Sequence, residues 1–194
     1  PLTSIQASAS GILDNYDALG RQEKVELLEG IRDESQWLIR MVENLLSITR
    51  INGDRAQIQT TWEVVEEVVG GAVEKFQKQF PQIEVETSMP EEVVMAPMDG
   101  ILVEQVLVNL LSNAVKYTPE GGQIRVSVES WEMYVKIDIA DTGIGISEQH
   151  QGAIFKRFYR EDIVHDVDGI GIGLYLAREI VTLQGGYILS LIHI

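Results

Sequence analysis

Two asparagines and a lysine, Asn109, Asn113 and Lys116, lie four and three residues apart in the stretch NLLSNAVKYT. On a helix, this spacing places all three side chains on one face, and the apolar residues between them predict a buried opposite face. An ammonium group binds anionic oxygens, and an amide oxygen can ligate a hard divalent cation. By itself the spacing favours a solvated polar stripe, but the segments that follow reverse that preference.

A glycine-containing turn at residues 141–146, which read DTGIGI, follows a predicted strand. The carboxylate of Asp141 can accept a hydrogen bond from an exocyclic amine such as that of adenine. Gly143 and Gly145 let a flat ligand approach the backbone closely, and Ile146 with Ile144 can line an apolar slot for its ring. Alone, the pattern is equally typical of a glycine turn with a capping aspartate.

A second glycine run, formed by Gly169, Gly171 and Gly173, precedes Leu174 and a helical pattern. Backbone N–H groups at the N-terminus of a helix favour phosphate. The run reads G-x-G-x-G rather than the dinucleotide fingerprint G-x-G-x-x-G, and the Gly-Lys-Ser/Thr of a P-loop is missing. The sequence therefore argues against both of those nucleotide-binding classes.

The segment between the two glycine runs begins with IFKRFYR at residues 154–160 and continues as a polar stretch with little periodicity. This pattern predicts a mobile lid that Phe155 and Phe158 anchor in the core. Arg157 and Arg160 are among its few cations, and guanidinium groups suit phosphate oxygens. The alternative is that both phenylalanines are plain core residues and both arginines plain surface residues.

The composition narrows the class of protein. The chain of 194 residues contains no cysteine, which rules out disulfides and Cys-ligated zinc, and its net charge of −15 argues against nucleic-acid binding. No apolar run approaches the length of a bilayer span, so we expect no membrane contact by this stretch. The chain begins at Pro1 without a methionine, and we expect a piece of a longer protein.

Residues 1–53 predict an antiparallel helical hairpin, broken at Gly20 and ended by Asn52-Gly53. Apolar residues recur every three or four positions in both helices, and the apolar stripe is wider than one seam. Two helices alone bury too little surface, so we expect a homodimer in which two hairpins form a four-helix bundle. The alternative is that the hairpin packs on the rest of its own chain.

Residues 54–194 predict an α+β domain, a sandwich of a mixed sheet with helices on one face. A capping box at Thr60 and Glu63 predicts a helix over 62–79, and Asp99 is a predicted N-cap for the helix that carries Asn109 and Asn113. The predicted strands are 56–61, 82–87, 93–96, 123–129 and 134–140, the last two as a hairpin.

The sequence resembles the ATP-binding domain of sensor histidine kinases in the order and spacing of four motifs: the asparagine stretch, DTGIGI, Phe-x-x-Phe and the late glycine run. This domain has the GHKL (Bergerat) fold, which is also found in gyrase, Hsp90 and the mismatch-repair ATPases. The resemblance covers residues from about 55 to 186. Residues 1–5, PLTSI, resemble the tail of the phosphoacceptor box. Met98-Asp99-Gly100, with Trp62 and the run EEVV at 66–69, resembles most the potassium-responsive KdpD-type kinases.

This resemblance implies ATP and Mg²⁺ as ligands. Asn113 would ligate Mg²⁺, and Asn109 would orient a phosphate or a metal-bound water. Lys116 would contact the phosphates, Tyr117 would pack against adenine, and Asp141 would bind the adenine N6 amine.

It also implies roles for the two glycine runs and the arginines. Arg160 would touch the γ-phosphate during transfer, with Arg157 as the second candidate. The residues that would give the base room, hold the phosphates and support the lid are Gly143, Gly145, Ile146, Gly169, Gly171, Gly173 and Leu174.

The sequence departs from the family pattern in three places. The acceptor histidine would precede Pro1, and His150, His165 and His193 do not match its position, so we expect binding of ATP and Mg²⁺ without autophosphorylation of this chain. Ile170 and Ile172 stand where Thr and Leu are usual. The tail LIHI at 191–194 suggests a truncated C-terminal strand, which would expose a sheet edge.

The resemblance implies the catalytic core of a kinase that passes the γ-phosphate of ATP to a histidine and then to the aspartate of a response-regulator receiver domain. The whole protein would be a membrane-anchored bacterial sensor with this part in the cytoplasm. The alternatives are a GHKL-family ATPase and a nucleotide-binding dimerisation module without kinase activity.

Overall fold

The computed structural model describes residues 2–52, 58–159 and 171–190, except for the side chains of residues 37, 40 and 43–52. Predictions for Arg160, Gly169, the start of the first strand and the tail at 191–194 therefore lie outside the described residues. The chain divides into two units, Pro1–Asn52 and Gly53–Ile194.

The first unit is a helical hairpin of α1 (Leu2–Asp14) and α2 (Arg21–Asn52), which pack against each other. Helix α1 ends earlier than the apolar rhythm predicts, because the N–H groups of Ala18 and Leu19 turn back to the Asn15 carbonyl oxygen at 3.0 and 2.9 Å. Helix α2 begins with a capping contact, in which the Gly20 N–H donates to the Glu23 carboxylate at 2.7 Å.

The hairpin leaves much of its apolar surface uncovered. Helix α1 has no buried residue. Among the described side chains of the hairpin, the large apolar ones that are exposed are Leu2, Leu13, Tyr16, Val25, Leu28, Ile39 and Val42.

In the second unit, the described residues form two small sheets and four helices, which confirms the predicted α+β fold with a mixed sheet. Strands β1 (Thr61–Val64) and β3 (Met95–Met98) form an antiparallel pair, and β2 (Val85–Ser88), β4 (Ile124–Ser130) and β5 (Val135–Asp141) form a mixed sheet in the order β2-β4-β5. The helices are α3 (Val65–Gln79), α4 (Gly100–Tyr117), α5 (Glu148–Gln151) and α6 (Gly173–Leu183).

The main core lies between the mixed sheet and helices α3 and α4. Along β4, Ile124, Val126 and Val128 are buried while Arg125 between them is exposed, so one face of the sheet meets the helices. Their helical partners in this core include Val69, Phe76, Leu107 and Leu111. An ion pair between Lys75 and Glu104, at 2.6 Å, joins α3 to α4.

The predicted start of helix α3 is wrong. Residues 61–64 are strand β1, which pairs with β3, and the helix begins at Val65 with no side-chain cap at Val64. Glu63 bonds the Thr61 hydroxyl at 2.5 Å and so does not serve as a capping box. Strands β2 and β3 begin two or three residues later than predicted, the β4–β5 hairpin is confirmed, and the short helix α5 was not predicted.

No helix within the described ranges is both long and apolar enough to cross a bilayer.

Candidate functional site

Helix α4 carries the polar face that the sequence predicts. Asp99 caps its N-terminus as predicted, since the carboxylate accepts from the Leu102 N–H at 3.2 Å. The buried residues of α4 are Val106, Leu107, Leu111 and Ala114. Asn109 and Asn113 are half-buried and Lys116 is exposed, so the three lie off the core face.

The turn at residues 141–146, which we call the Asp141 turn, is attached to the last turn of α4. The Ile144 N–H donates to the Tyr117 carbonyl oxygen at 3.1 Å. A Cβ on Gly143 would lie 2.5 Å from that oxygen and 2.6 Å from Asp141 Oδ1, so only glycine allows this approach. The Asp141 turn is thereby attached to the last residue of the helix that bears Asn113.

Thr142 fixes the base of the Asp141 turn to the neighbouring strand. Its N–H donates to the Gln123 carbonyl oxygen at 3.1 Å, and its hydroxyl accepts from the Gln123 N–H at 2.8 Å. Asp141 itself accepts from the Gly143 N–H at 2.9 Å and remains exposed. One carboxylate oxygen therefore organises the turn, while the group stays accessible to a ligand.

Helix α6 packs against α4. The Gln184 side chain accepts from the Asp99 N–H at 2.6 Å, which joins the C-terminal end of α6 to the N-terminal end of α4. With 11 residues, α6 spans about 16 Å at about 1.5 Å per residue. That length is close to the length of the stretch of α4 from Asp99 to Asn109, which spans about 15 Å.

The N-terminus of α6 is built to present backbone N–H groups. No side chain caps it among the described residues, and its buried side, Leu176, Ala177 and Ile180, holds it on the core. Gly171, just before it, has φ of +70°, and a Cβ there would lie 2.5 Å from the Tyr159 carbonyl oxygen. An uncapped helix N-terminus after such a glycine is a site for an anion.

Buried polar atoms without a partner mark the same region. Among the described residues, the buried side-chain atoms that lack a hydrogen-bond partner are Asn109 Nδ2, Thr118 Oγ1 and Gln151 Nε2. Two of the three belong to α4 and its C-cap. Since such atoms cost free energy, they indicate groups that a ligand or water satisfies.

The structure attaches the Asp141 turn, with its two glycines, to the end of α4, and it packs α6, which begins at Gly173, against α4. Tyr117, 40% exposed, is the residue of α4 that contacts the Asp141 turn. Gly145 has φ of +69°, a value that favours glycine. Ile146 and Leu174 are half-buried.

The segment that follows the Asp141 turn differs from its prediction. Phe158 is 58% exposed, so the expectation that both phenylalanines are core residues is wrong for this one. Its φ is +63°, and its N–H donates to the Gly171 carbonyl oxygen at 2.9 Å. The Arg157 guanidinium lies 4.7 Å from the centre of the Phe158 ring.

Sequence reasoning missed the residues that hold these segments in place. Gln184 joins α6 to α4, and Thr142 joins β5 to β4, but neither belongs to a motif. A hydrogen bond between His150 and Tyr159 likewise connects residues nine positions apart. Only the tertiary arrangement identifies these contacts.

Comparison with known proteins agrees with this geometry. Residues 98–190 match the family described as histidine kinase-, DNA gyrase B- and HSP90-like ATPases. Across 190 residues and 97% of this chain, the sequence is 41% identical to the sensor protein KdpD of Clostridium acetobutylicum, of which it covers 21%.

Solved structures agree in fold. The histidine kinase AdeS of Acinetobacter baumannii has a TM-score of 0.68 at 22% identity, with 94% of this chain and 83% of that chain covered. The histidine kinase ThkA, in complex with the response regulator TrrA, has a TM-score of 0.69 at 21% identity, with 94% and 52% covered.

Residues 98–190 therefore form an ATP-binding domain of the histidine kinase-, gyrase- and HSP90-like ATPase family. With a similarity to KdpD that extends over 97% of this chain and includes the helical hairpin, the chain is homologous to sensor histidine kinases. It spans about half or less of the length of the curated relatives that it matches.

Proposed function

We propose that this chain is the catalytic core of a sensor histidine kinase, in which residues 54–194 bind ATP with Mg²⁺. In the whole protein, the γ-phosphate passes to a histidine and then to an aspartate of a response-regulator receiver domain. The observation that carries the proposal is the Ile144–Tyr117 hydrogen bond, because it attaches the Asp141 turn to the helix that bears Asn113.

Three features support a base-binding role for the Asp141 turn. The exposed Asp141 carboxylate accepts from the N6 amine of adenine. Gly143 and Gly145 leave the ring room, and Ile146 lines one side of it. Tyr117, at the junction with α4, packs against the ring.

The phosphates lie between α4 and the start of α6. Asn109 Nδ2, buried and unpartnered among the described residues, donates to a phosphate oxygen or to a metal-bound water. Lys116 and the N–H groups of Gly173 and Leu174 offset phosphate charge. Gly171 holds this helix start in place.

The donor set fits a magnesium ion bound together with phosphates. The amide oxygen of Asn113 is a hard ligand, and the remaining positions fall to phosphate oxygens and water. When bound, the ion neutralises charge that develops on the transferred phosphoryl group. The guanidinium group of Arg157 offsets the same developing charge. The roles of Arg160 and Gly169 rest on the family resemblance.

The hairpin supports a homodimer and a protein partner. Its exposed leucines and valines would be buried if a second hairpin packed against them, and the two hairpins would then form a four-helix bundle. The structural relative ThkA is bound to a response regulator, and we propose a receiver domain as partner here. In the whole protein, this part lies in the cytoplasm of a membrane-anchored sensor.

Calorimetric titration with a non-hydrolysable ATP analogue and Mg²⁺ tests the nucleotide site. We expect wild type to bind and Asp141→Ala to bind about tenfold or more weakly, because a hydrogen bond to a charged group is lost. Asp138→Ala, which removes a carboxylate of the same strand that pairs with Lys136 at 2.6 Å, is the matched control and keeps wild-type affinity. Unchanged affinity in Asp141→Ala would overturn the assignment.

We further propose that none of the histidines of this chain is the phosphate acceptor, since His150, His165 and His193 all lie outside the hairpin. Incubation with γ-labelled ATP should leave the chain unlabelled. Acid-labile label on any of the three would contradict this.

A further inference from the structure

A side-chain hydrogen bond joins His150 Nδ1 to the hydroxyl of Tyr159, a contact that the proposed function does not use. His150 belongs to α5, immediately after the Asp141 turn. Both residues are half-buried, and their rings lie 6.0 Å apart between centres at an angle of 40°. The pair therefore fixes the end of the 152–159 segment to α5.

The backbone at Tyr159 meets the late glycine run directly. A Cβ on Gly171 would lie 2.5 Å from the Tyr159 carbonyl oxygen and 2.9 Å from the Phe158 carbonyl carbon. The Phe158 N–H closes the contact by donating to the Gly171 carbonyl oxygen at 2.9 Å. We call Phe158, Tyr159 and Gly171 the junction.

The junction holds a strained backbone. Phe158 has φ of +63°, the only non-glycine residue within the described ranges with a positive φ. Such a conformation costs about 1–2 kcal/mol and persists only where the surroundings enforce it. The His150–Tyr159 bond and the Phe158–Gly171 bond act on either side of this residue and hold it there.

The junction also determines where α6 begins, because Gly171 lies two positions before Gly173. We propose that the His150–Tyr159 pair is a positioning contact for the phosphate end of the nucleotide site. It holds the junction in place, and the junction positions Gly171, from which the chain enters the first turn of α6 with its N–H groups. This inference rests on the proposed function and adds two residues to it.

The inference separates the two ends of the ligand. Asp141 reads the base and is attached to α4 through Ile144, a contact that does not involve the junction. Loss of the His150–Tyr159 bond should therefore weaken contacts to the phosphates and leave contacts to the base unchanged. If the bond had a purely structural role, its loss would weaken the contacts to both ends of the ligand or would only lower thermal stability.

The test compares two ligands, a non-hydrolysable ATP analogue with Mg²⁺ and adenosine alone, on the whole 194-residue chain. Tyr159→Phe removes only the hydroxyl, and we expect about three- to tenfold weaker binding of the analogue with adenosine affinity unchanged. His150→Ala should have the same effect, and the double variant should bind the analogue no more weakly than either single variant. His150→Asn, which keeps a polar atom near the Nδ1 position, should restore much of the loss.

Tyr187→Phe removes the hydroxyl of a tyrosine that is 67% exposed and packs on Tyr134, and it serves as the matched control with no effect. Equal loss for both ligands, additive single variants or unchanged binding of the analogue by Tyr159→Phe would overturn the inference while leaving the proposed function in place. A wild-type chain that binds neither ligand would overturn both.

Discussion

At the scale of single residues, Asn109 illustrates how a polar group proposed to bind a ligand can lower the stability of the ligand-free protein. Its amide nitrogen is buried and finds no hydrogen-bond partner among the described residues. A buried polar atom in this state costs about 1–3 kcal/mol. If a nucleotide satisfies this group, the free protein carries the cost and the complex does not.

Replacement of Asn109 by leucine, which has a similar volume, should separate stability from binding. We expect Asn109→Leu to raise the free energy of unfolding of the ligand-free chain by about 1 kcal/mol, or about 2–4 °C in Tm. The affinity for an ATP analogue with Mg²⁺ should fall at least tenfold. Thermal denaturation and calorimetry measure the two effects.

Asn15 provides the matched control for that change, because its Nδ2 already donates to the Gly11 carbonyl oxygen at 3.2 Å. Asn15→Leu should not raise Tm and should leave nucleotide affinity unchanged. A marked fall in Tm for Asn109→Leu, with binding intact, would show that the amide has a structural role instead.

Two glycines at the start of α6 make a second matched pair. Gly171 has φ of +70° and a carbonyl oxygen 2.5 Å from the position of an added Cβ, whereas Gly173 has no atom within 4 Å of that position. Gly171→Ala should lose about 2 kcal/mol or more of stability, from the unfavourable φ and the close contact. Gly173→Ala should be neutral or slightly stabilising. Denaturant unfolding measures both, and equal losses would contradict the geometry of the junction.

At the scale of elements, the site depends on how α6 lies against α4. The Gln184 side chain holds the end of α6 to the Asp99 N–H, and Asp99 is also the N-cap of α4. One contact therefore joins the C-terminal end of α6 to the N-terminal end of α4. We expect this contact to position the start of α6 along α4 as well.

Gln184→Ala should lower the free energy of unfolding by about 1–2 kcal/mol, because the Asp99 N–H loses its acceptor. Binding of the ATP analogue should weaken as the start of α6 becomes less well placed. Gln149→Ala, at an exposed position of α5, is the control and should change neither quantity by much. If Gln184→Ala unfolds like wild type, the alignment of the helices has another cause.

The elements with local signals could be predicted from the sequence. Asp99 caps α4 because its own side chain reaches Leu102, and the β4–β5 hairpin follows from alternation over adjacent residues. A first strand was predicted at 56–61, but the position of β1 at Thr61–Val64 could not be predicted, because its pairing with β3 lies more than thirty residues away and overrides a local capping pattern at Thr60 and Glu63.

The same distinction applies to the site. The sequence identified the residues that we propose face a nucleotide, since Asn113, Asp141 and the glycines lie in ordered motifs. It did not predict what holds them together, because Gln184, Thr142 and the His150–Tyr159 pair act through tertiary contacts. It also misplaced Phe158, whose left-handed backbone conformation depends on Gly171.

At the scale of the whole molecule, the exposed apolar side chains of the hairpin predict that two chains associate as a dimer. Leu13 is 77% exposed and Leu28 is 55% exposed. We expect Leu28→Glu to shift the chain from dimer to monomer in analytical ultracentrifugation, because a charge at this position would be buried between two hairpins. ATP binding should be unchanged, since the nucleotide site lies in the other unit.

Gly30→Glu introduces the same charge on the opposite side of α2, where an added Cβ meets no atom within 4 Å. It should leave the dimer intact. A wild-type chain that sediments as a monomer at micromolar concentration would contradict the proposed bundle.

Hydrogen exchange on the whole chain, with and without an ATP analogue and Mg²⁺, tests most directly whether the three segments form one nucleotide site. We predict slower exchange, on adding the nucleotide, in peptides that cover residues 109–118, 141–147 and 171–176, and no change in residues 2–52. Protection of only one of the three segments, or of none, would contradict a common site.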